Sequence, residues 1–445
     1  MIFDHVQMRP LNRKQRLSLI TFAIFYFFLF FFCRANSARD PGSFFFQPRE
    51  GYRPEYSLSR IKESRGYLSR FNQTTTPPDL DLIAHRRQPD PEQVDLCVGI
   101  VTVKRPLKQN IDTTVASLID GLSQKQRSQI SIHLLFALTT PTNHPDYNHP
   151  WVRNAVDRVL TYDTLNASTP YLKVLERSNK YTSEKSLIDY SLSLRSCYTG
   201  TDAPYFLMLE DDLVAQPSWY ESTTQAIRKI TLWSQRGVLS PDWLYLRLFW
   251  TEKFLGWNSE NWLEYLLWSL LVTSTVALLG LAARRTLRPA QDILTNAFLA
   301  LLCLVCVPLV IVLYFAAGRV TVQRPMRPGV HRMNKHGCCS QALVFPREKV
   351  PQILEYMKKM ADATTPKPVD TTLERLANEY QFDRLALAPP QMQHVGAASY
   401  KEEEKKWRKG EYAVRGAHGV WSMEFEKAYE STPYGATTID HYWPH

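Results

Sequence analysis

Three consecutive acids, Glu210-Asp211-Asp212, directly follow the apolar run YFLML at positions 205–209. The run is typical of a buried parallel strand, and ligands of open α/β sheets bind at the carboxyl ends of strands. Adjacent carboxylates repel one another when they are partly buried, and a divalent cation relieves that repulsion. Carboxylate oxygens suit Mg²⁺ or Mn²⁺, so the triplet predicts a cation site for nucleotide phosphates. The alternative is an acidic turn that stabilises the amino end of the next helix.

The segments around the triplet alternate between strand-like and helix-like patterns. Continuous apolar runs predict strands at 95–103, 132–138, 205–209, 243–249 and 341–345, and the run at 152–160 suits either a strand or a helix. Apolar residues at helical spacing predict helices at 111–122, 181–197, 219–231, 348–360 and 369–380. This alternation predicts an α/β domain with a mainly parallel sheet.

Three longer apolar segments, at 17–33, 262–283 and 293–317, predict membrane-spanning helices. Basic residues precede the first segment, and three arginines lie in the turn 284–289 between the other two. Lys and Arg are enriched on the cytoplasmic side, so both basic regions are expected there. The first segment is then an uncleaved signal anchor, and the other two form a membrane hairpin. The alternatives are a cleaved signal peptide and a buried pair of helices.

This topology divides the chain into six parts and places the folded parts in one non-cytosolic compartment. The parts are a cytoplasmic tail (1–16), a transmembrane signal anchor (17–33), a lumenal stem (34–94), the first part of the α/β domain (95–261), the transmembrane hairpin (262–317) and the second part of the domain (318–445). Acceptor sequons for N-glycosylation begin at Asn72 and Asn166, both on the expected lumenal side.

The composition narrows the function classes. The chain has 445 residues, a formal net charge of +10 and 44% hydrophobic residues, which excludes a disordered or collagen-like chain. The basic segments 104–108 and 405–409 form either a solvated face or a surface for phosphate-bearing substrates or lipid headgroups. Nucleic-acid binding is disfavoured by the topology. Spans without a charged residue at their centres also make a poor pore.

The cysteines fit an oxidising compartment. Of the seven, three lie in predicted spans, which leaves Cys97, Cys197, Cys338 and Cys339. These four allow three pairings: one joins Cys338 to Cys339 and Cys97 to Cys197, and the other two connect the adjacent pair to Cys97 and Cys197. The sequence leaves the three pairings open.

A strand that ends in an acidic triplet resembles the metal-binding motif of glycosyltransferases with the A-type fold, with Glu210 in place of the first Asp. A narrower resemblance comes from the whole arrangement: a signal anchor, the triplet, a tandem membrane hairpin inside the domain, and a Cys-Cys pair after the hairpin. It resembles the family of Golgi transferases that add N-acetylgalactosamine to glycosylphosphatidylinositol (GPI) anchors. The resemblance implies a GT-A-like glycosyltransferase domain over residues 95–445, interrupted by the hairpin.

The resemblance also implies roles for individual residues. GIVTVKR at 99–105 is similar to the first strand and loop that contact the nucleotide, which makes Thr102, Val103 and Arg105 donor-binding candidates. Lys185 and Asp189 lie four residues apart on one predicted helix face. They form either an ordinary salt bridge or, by resemblance, a pair that faces the donor.

Metal and acceptor residues follow in the same way. Glu210, Asp211 and Asp212 are the implied metal ligands, and Asp211 is also a catalytic candidate. PPQMQHVGAAS at 389–399 resembles a motif that brings His394 to the metal or diphosphate. KPVDTTLERLA at 367–377 resembles a segment with an acid near the acceptor, so Asp370 is the candidate base or, alternatively, a helix N-cap.

The function implied is transfer of N-acetylgalactosamine from UDP-GalNAc to a mannose of the GPI glycan, in a single displacement assisted by Mn²⁺ or Mg²⁺. The enzyme would be a multi-pass Golgi membrane protein with a cytoplasmic N-terminus and a lumenal catalytic domain. Arg319, Arg324 and Arg327 would anchor the interface or meet the phosphates of the GPI acceptor. The alternatives are another UDP-sugar or an N-glycan acceptor, or a non-catalytic lumenal partner of GPI proteins.

Overall fold

The computed structural model describes residues 11–72, 93–105, 108–177, 182–323, 326–335, 337, 339–396 and 420–427. Their contacts divide the chain into two compact units. The helical unit comprises Met1–Gly51 and Leu255–Pro325, and the sheet unit comprises Tyr52–Phe254 and Met326–His445.

In the residues that the structure describes, the sheet unit is built on ten strands. They are β1 (Leu96–Thr102), β2 (Ile130–Phe136), β3 (Arg158–Leu160), β4 (Tyr205–Glu210), β5 (Leu213–Ala215), β6 (Trp243–Arg247), β7 (Gly329–Arg332), β8 (Leu343–Pro346), β9 (Asp383–Ala388) and β10 (Met392–His394). Eight of them form one sheet in the order β3-β2-β1-β4-β8-β6-β9-β7, and β10 pairs with β5. Only β7 and β8 run antiparallel to their neighbours in the large sheet, which is therefore mainly parallel, as predicted.

Helices cover both faces of the large sheet. Those of the sheet unit are Tyr56–Ser69, Ile111–Ile119, Gln124–Ser128, Pro150–Ala155, Thr169–Arg177, Ser183–Gly200, Trp219–Gln235, Val350–Ala361, Val369–Glu379 and Met423–Lys427. Two large apolar clusters pack against the sheet, and β1 contributes Val98 and Ile100 to one of them and Cys97 to the other. Parallel strands are buried on both faces, which explains their continuous apolar sequence.

A disulfide joins Cys97 of β1 to Cys197 of the helix Ser183–Gly200. Both residues are fully buried. The bond excludes the two pairings that connect Cys97 and Cys197 to the Cys338-Cys339 pair. Cys339 is disulfide-bonded as well, whereas Cys338 lies outside the described residues.

Part of the range expected as a stem folds with the sheet unit. The helix Tyr56–Ser69 buries Arg60, whose guanidinium donates from Nε to the carbonyl of Ala215 at 2.9 Å and from Nη2 to that of Ser117 at 3.2 Å. A buried guanidinium bonded to carbonyls fixes this helix against the strand β5. Residues 34–51 belong to the helical unit instead.

Among the described residues, three helices are long and apolar enough to cross a membrane, at Arg13–Asn36, Glu252–Thr286 and Asn296–Ala316. The regular part of the second is Trp262–Thr286, and the third contains a π-helical turn at Leu302–Cys306 between Asn296–Leu301 and Val307–Ala316. Short helices occupy Pro48–Gly51, Arg288–Gln291 and Arg319–Val322. The predicted turn 284–289 is thus shared between the end of Trp262–Thr286 and the start of Arg288–Gln291.

Candidate active site

The acidic triplet lies where β4 ends, beside the end of β1. The two strands are parallel and in register, with Val101 opposite Glu210. Thr102 and the loop after β1 therefore lie next to Asp211 and Asp212, at the carboxyl edge of the sheet. Both aspartates are buried, with 2% of their surface exposed.

Asp211 is held by three groups from β1 and the following loop. Its Oδ2 accepts hydrogen bonds from the Thr102 hydroxyl at 2.7 Å and from the Val103 backbone N–H at 3.3 Å. Its Oδ1 accepts from Nε of Arg105 at 2.9 Å and also contacts Nη2 of that guanidinium. Both oxygens of Asp211 are thus engaged within the fold, and the three donor-binding candidates of the loop are the residues that engage them.

Asp212 is engaged on one oxygen only. Its Oδ2 lies 2.9 Å from Nη2 of Arg105 and 3.1 Å from Nε2 of His394. Its Oδ1 is buried and has no hydrogen-bond partner among the described residues. Burial acts to raise the pKa of Asp212, but the charges of Arg105 and His394 hold it well below its usual range. Asp212 is therefore an ionised carboxylate with one oxygen available.

His394 reaches the site through the small sheet. It is opposite Leu213 in the β5–β10 pair, and the backbone N–H of Val395 donates to the carbonyl of Asp212 at 2.8 Å. Burial acts to lower the pKa of His394, but Asp212 raises it above its ordinary value. A Cβ on Gly396 would collide with the Asp212 carboxylate, so this position needs a glycine.

Glu210 points toward the segment that precedes β8. Its carboxylate accepts from the Ser340 hydroxyl at 2.8 Å and from Nε2 of Gln341 at 3.3 Å. Burial, followed by the nearby charge of Asp212, raises the pKa of Glu210. The three acids of the triplet thus have different partners, and the pKa values of Glu210 and Asp212 are shifted in opposite directions.

His144 is a site residue that the sequence analysis missed. It is 1% exposed, and its Nε2 lies 3.1 Å from the Thr102 hydroxyl. Its Nδ1 accepts the backbone N–H of Asp146 at 3.2 Å, which assigns the ring proton to Nε2. The ring N–H then donates to the oxygen of Thr102, whose own proton goes to Asp211. His144 therefore orients the hydroxyl that holds Asp211. The sequence TNHPDYNHP around it carries no pattern that signals this role.

Lys185 and Asp189 form the salt bridge that was one of the two interpretations. The Lys185 ammonium donates to Asp189 Oδ2 at 2.8 Å, to the carbonyl of Ala137 at 2.9 Å and to the hydroxyl of Tyr162 at 2.6 Å. That hydroxyl donates to Asp189 Oδ1 at 2.6 Å. Both charged groups are at least 98% buried in this network. The donor-facing role stays a prediction.

Asp370 lies in the first turn of the helix Val369–Glu379. Pro368 is the N-cap residue, and the Asp370 carboxylate accepts the backbone N–H of Thr371 at 2.7 Å. Among the described residues, no hydrogen bond or ion pair joins Asp370 to the triplet. One helical turn further, Glu374 joins a buried cluster with Tyr245, Arg247 and Arg384, a group that the sequence analysis also missed.

This arginine cluster fixes the segment before β8. Arg247 Nη2 donates to Glu374 Oε1 at 3.2 Å, and its Nη1 donates to the carbonyl of Cys339 at 2.6 Å. Arg384 Nε lies 2.7 Å from Glu374 Oε2. Cys339 directly precedes Ser340, which donates to Glu210. The arginine cluster thus supports one side of the acidic site.

A second group with ligand-type atoms is not a metal site. Atoms of Cys97, His133 and Cys197 lie within 4.8 Å of one another, but the two sulfurs are bonded in a disulfide. Cysteine binds a metal as a thiolate, so the two bonded sulfurs are not ligands, and His133 alone does not make a metal site. Burial lowers the pKa of His133 to about 3, and the ring is a neutral part of the core.

Comparison with known families decides the identity. The family model of GPI-N-acetylgalactosamine transferase PGAP4 matches residues 96–393, well over half of the chain. The chain belongs to this family. It is accordingly a glycosyltransferase with a role in adding N-acetylgalactosamine to GPI glycans. No curated protein matches the chain. The matched range includes the triplet, Arg105, His144 and the arginine cluster, and it ends one residue before His394.

Proposed function

We propose that this member of the GPI-N-acetylgalactosamine transferase family uses UDP-GalNAc as its donor and a mannose of the GPI glycan as its acceptor. The observation that carries the proposal is the carboxyl edge of the sheet, where three acids meet Arg105 and His394 and the buried Oδ1 of Asp212 has no partner among the described residues. The three carboxylates there outnumber the two positively charged side chains, Arg105 and His394. A nucleotide with its cation complements such a site. We also infer an A-type fold from the acids at this edge.

The residues present fit a divalent cation, Mn²⁺ or Mg²⁺. Asp212 Oδ1 is the candidate first ligand because it is an ionised oxygen whose burial is otherwise uncompensated. Glu210 and, after loss of its ring proton, His394 would be further ligands. Asp211, whose two oxygens are engaged, would support the site through Arg105. When bound, the cation would supply positive charge that stabilises the diphosphate leaving group.

The chain's own residues account for the remaining chemistry. Arg105 is fixed by Asp211 and Asp212 and presents a permanent positive charge at the expected diphosphate position. In the displacement, the acceptor oxygen forms the bond to C1 of the sugar as the bond from C1 to the diphosphate breaks. Asp370 takes the proton of the acceptor hydroxyl, and UDP leaves with the electron pair. Asp211, whose two oxygens are engaged, positions Arg105 and the loop.

The proposed setting is the Golgi membrane, with the sheet unit in the lumen. The three candidate spans and the Cys97–Cys197 disulfide support an oxidising, membrane-bound compartment. Asn166 of the second sequon is exposed and accessible for glycosylation. We infer that the helices Trp262–Thr286 and Asn296–Ala316 form the hairpin, so that enzyme and acceptor share one membrane surface. Shared anchoring lowers the entropy cost of encounter.

A transfer assay on the purified, detergent-solubilised full chain tests the proposal. The assay offers a panel of UDP-sugars with Mn²⁺ and a GPI glycan, next to Asp212→Ala and an EDTA-treated sample. N-acetylgalactosamine transfer that disappears with either treatment is the expected result. Transfer of another sugar, or transfer only to an N-glycan, would refute the substrate assignment but keep the site.

The base assignment needs its own variant. Asp370→Asn is expected to lower kcat while leaving the affinity for UDP unchanged, because the residue acts on the acceptor. Glu379→Gln at the other end of the same helix is the matched control. An unchanged kcat in Asp370→Asn would contradict the role of Asp370.

A further inference from the structure

A cavity of about 470 Å³ lies within the helical unit, between the amino end of the helix Trp262–Thr286 and the carboxyl end of Val307–Ala316. This is the end of the helix pair opposite the arginines that follow Ala283. The proposed transfer reaction assigns it no role. Of the three arginines expected at the interface or at the acceptor phosphates, Arg319 lines the cavity, Arg327 does not, and Arg324 lies outside the described residues. The lining residues that matter below are Trp257, Glu264, Trp268, Ile311, Tyr314 and Arg319.

One wall of the cavity is a fixed aromatic cluster. The ring of Trp257 lies 5.3 Å from that of Tyr265, 5.4 Å from that of Tyr314 and 4.8 Å from that of Phe315, between ring centroids. The indole N–H of Trp257 donates to the carbonyl of Phe315 at 3.0 Å. The hydroxyl of Tyr314 accepts from Gln323 at 2.7 Å. Ring faces held in this way attract a cation.

The cavity also carries one charge of each sign. Glu264 lies in the first turn of Trp262–Thr286, and Arg319 follows Val307–Ala316. In the part of the chain described, the two do not form an ion pair with each other, and the hydrogen bond from Arg319 to the Gly256 carbonyl is long, at 3.5 Å. A guanidinium suits a phosphate, and a carboxylate beside aromatic rings suits an ammonium.

The remaining wall is apolar and continues along the helices. Val272, Val310 and Ile311 line the cavity on the side toward the middle of the two helices. An acyl chain fits along such a surface, whereas a free headgroup would leave it uncovered.

We propose that this cavity binds phosphatidylethanolamine, a phospholipid whose headgroup carries one phosphate and one protonated amine. Arg319 contacts the phosphate, Glu264 and the aromatic wall receive the ammonium, and one acyl chain follows Val272 and Ile311. The opposite charges of Glu264 and Arg319 favour a headgroup that is neutral overall over an anionic one. A primary ammonium also donates hydrogen bonds to Glu264, which the quaternary amine of phosphatidylcholine cannot do. The site lies in the helical unit, so it is a lipid site separate from the sugar-transfer chemistry.

Photo-crosslinking tests the proposal. The full chain is reconstituted in phosphatidylcholine vesicles that contain a photoactivatable phosphatidylethanolamine, and the labelled peptides are mapped. We expect label in the segments 257–272 and 307–323, removed by unlabelled phosphatidylethanolamine but not by phosphatidylglycerol. Arg319→Gln and Glu264→Gln should each lower labelling about tenfold, the loss expected for one charge-assisted hydrogen bond.

The control is Arg285→Gln, which removes an exposed arginine from the other end of the same helix and should leave labelling unchanged. Equal competition by phosphatidylglycerol, or full labelling of both cavity variants, would overturn the proposal. N-acetylgalactosamine transfer to a lipid-free glycan acceptor is measured on every variant. Labelling without any transfer in the unmodified chain would refute the proposed function alone. Transfer without labelling would refute the lipid site alone.

Discussion

Two buried ionic clusters lie at the same edge of the large sheet, and their charge balance differs. At the end of β4, three carboxylates meet one arginine and one histidine, and a buried aspartate oxygen has no partner among the described residues. At the end of β6, one carboxylate, Glu374, lies between two arginines and a tyrosine hydroxyl. Only the first cluster has an excess of acid.

The difference separates a site that needs a ligand from one that supports its surroundings. A buried carboxylate is tolerated when positive charges pair with it, and in the arginine cluster Glu374 forms ion pairs with both Arg247 and Arg384. In the acidic cluster, Oδ1 of Asp212 is buried without a partner among the described residues and is available to a ligand. We therefore expect changes in the acidic cluster to affect activity first, and changes in the arginine cluster to affect stability first.

The largest expected effect is on turnover. Asp212→Asn should lower kcat for N-acetylgalactosamine transfer about a thousandfold or more, because charge stabilisation at the leaving group is lost. Thermal unfolding should change less than for a variant of the arginine cluster, since Arg105 keeps its ion pair with Asp211. The measurement is the initial rate with saturating UDP-GalNAc.

The matched control is Asp202→Asn, at a carboxylate that is 74% exposed. A rate for Asp212→Asn within tenfold of the unmodified enzyme would show that the excess of carboxylates in this cluster does not contribute to catalysis.

The opposite result is expected in the arginine cluster. Glu374→Gln leaves Arg247 and Arg384 buried without a compensating charge, and breaking such a pair typically costs about 3–5 kcal/mol of stability. The unfolding temperature of the sheet unit should fall clearly, whereas the folded fraction should retain most of its kcat. Scanning fluorimetry with the transfer assay below the transition measures both. A stable protein with no transfer would mean that Glu374 belongs to the reaction itself.

The sequence predicted the acidic cluster better than the arginine cluster, for a physical reason. Three adjacent acids after an apolar strand are visible in one stretch of chain, and the strands β1, β2, β4, β6 and β8 come from continuous apolar runs. Arg247 was visible only as a charge inside the apolar run WLYLRLF, and its partner Glu374 is 127 residues away. Long-range pairing of this kind has no local pattern.

Other features were missed because polar side chains are buried in the core. The helix Tyr56–Ser69 was not predicted, and its range was expected to be a stem. Its buried face includes Arg60 and Ser64, which give no apolar periodicity. The short strand β9 was also missed, since the run LALA is too brief to signal a strand. The disulfide pairing that the sequence left open follows from the packing of the helix Ser183–Gly200 against β1.

The two clusters should also differ in how their contribution to the free energy of unfolding depends on pH. Burial lowers the pKa of His144 to about 4 from an ordinary value near 6.5, so the folded state binds fewer protons than the unfolded state between these values. Stability from this group is complete above pH 6.5 and is lost as the pH falls toward 4, by up to about 3 kcal/mol. Arginines do not titrate in this range, so the arginine cluster adds no comparable loss from Arg247 and Arg384.

The measurement is the unfolding free energy of the unmodified chain minus that of His144→Gln, from pH 7.5 to 4. Burial raises the pKa of Asp146 next to His144 to about 6, and this group acts in the opposite direction, but it is present in both proteins. The difference should decline as the pH falls. A difference that is independent of pH would show that His144 has the same pKa in the folded and the unfolded state.

The smallest expected effects come from removing one hydroxyl group from each cluster. Thr102→Val removes the donor that joins His144 to Asp211, and Tyr245→Phe removes the donor to Glu374 at 2.5 Å. Loss of one buried hydrogen bond costs about 1–2 kcal/mol. In the acidic cluster that cost should appear in the rate, because Asp211 then holds Arg105 less firmly: kcat should fall about tenfold, and Thr102→Ser should restore it.

In the arginine cluster the same loss should appear in the unfolding temperature, with kcat unchanged in Tyr245→Phe. The pair of variants matters more than either alone, because both delete one hydroxyl from a buried ionic network at the same sheet edge. Equal losses of kcat in the two would mean that the clusters act as one catalytic unit through the Cys339–Gln341 segment. Equal losses of stability with no change in rate would mean that Thr102 and His144 only support the fold.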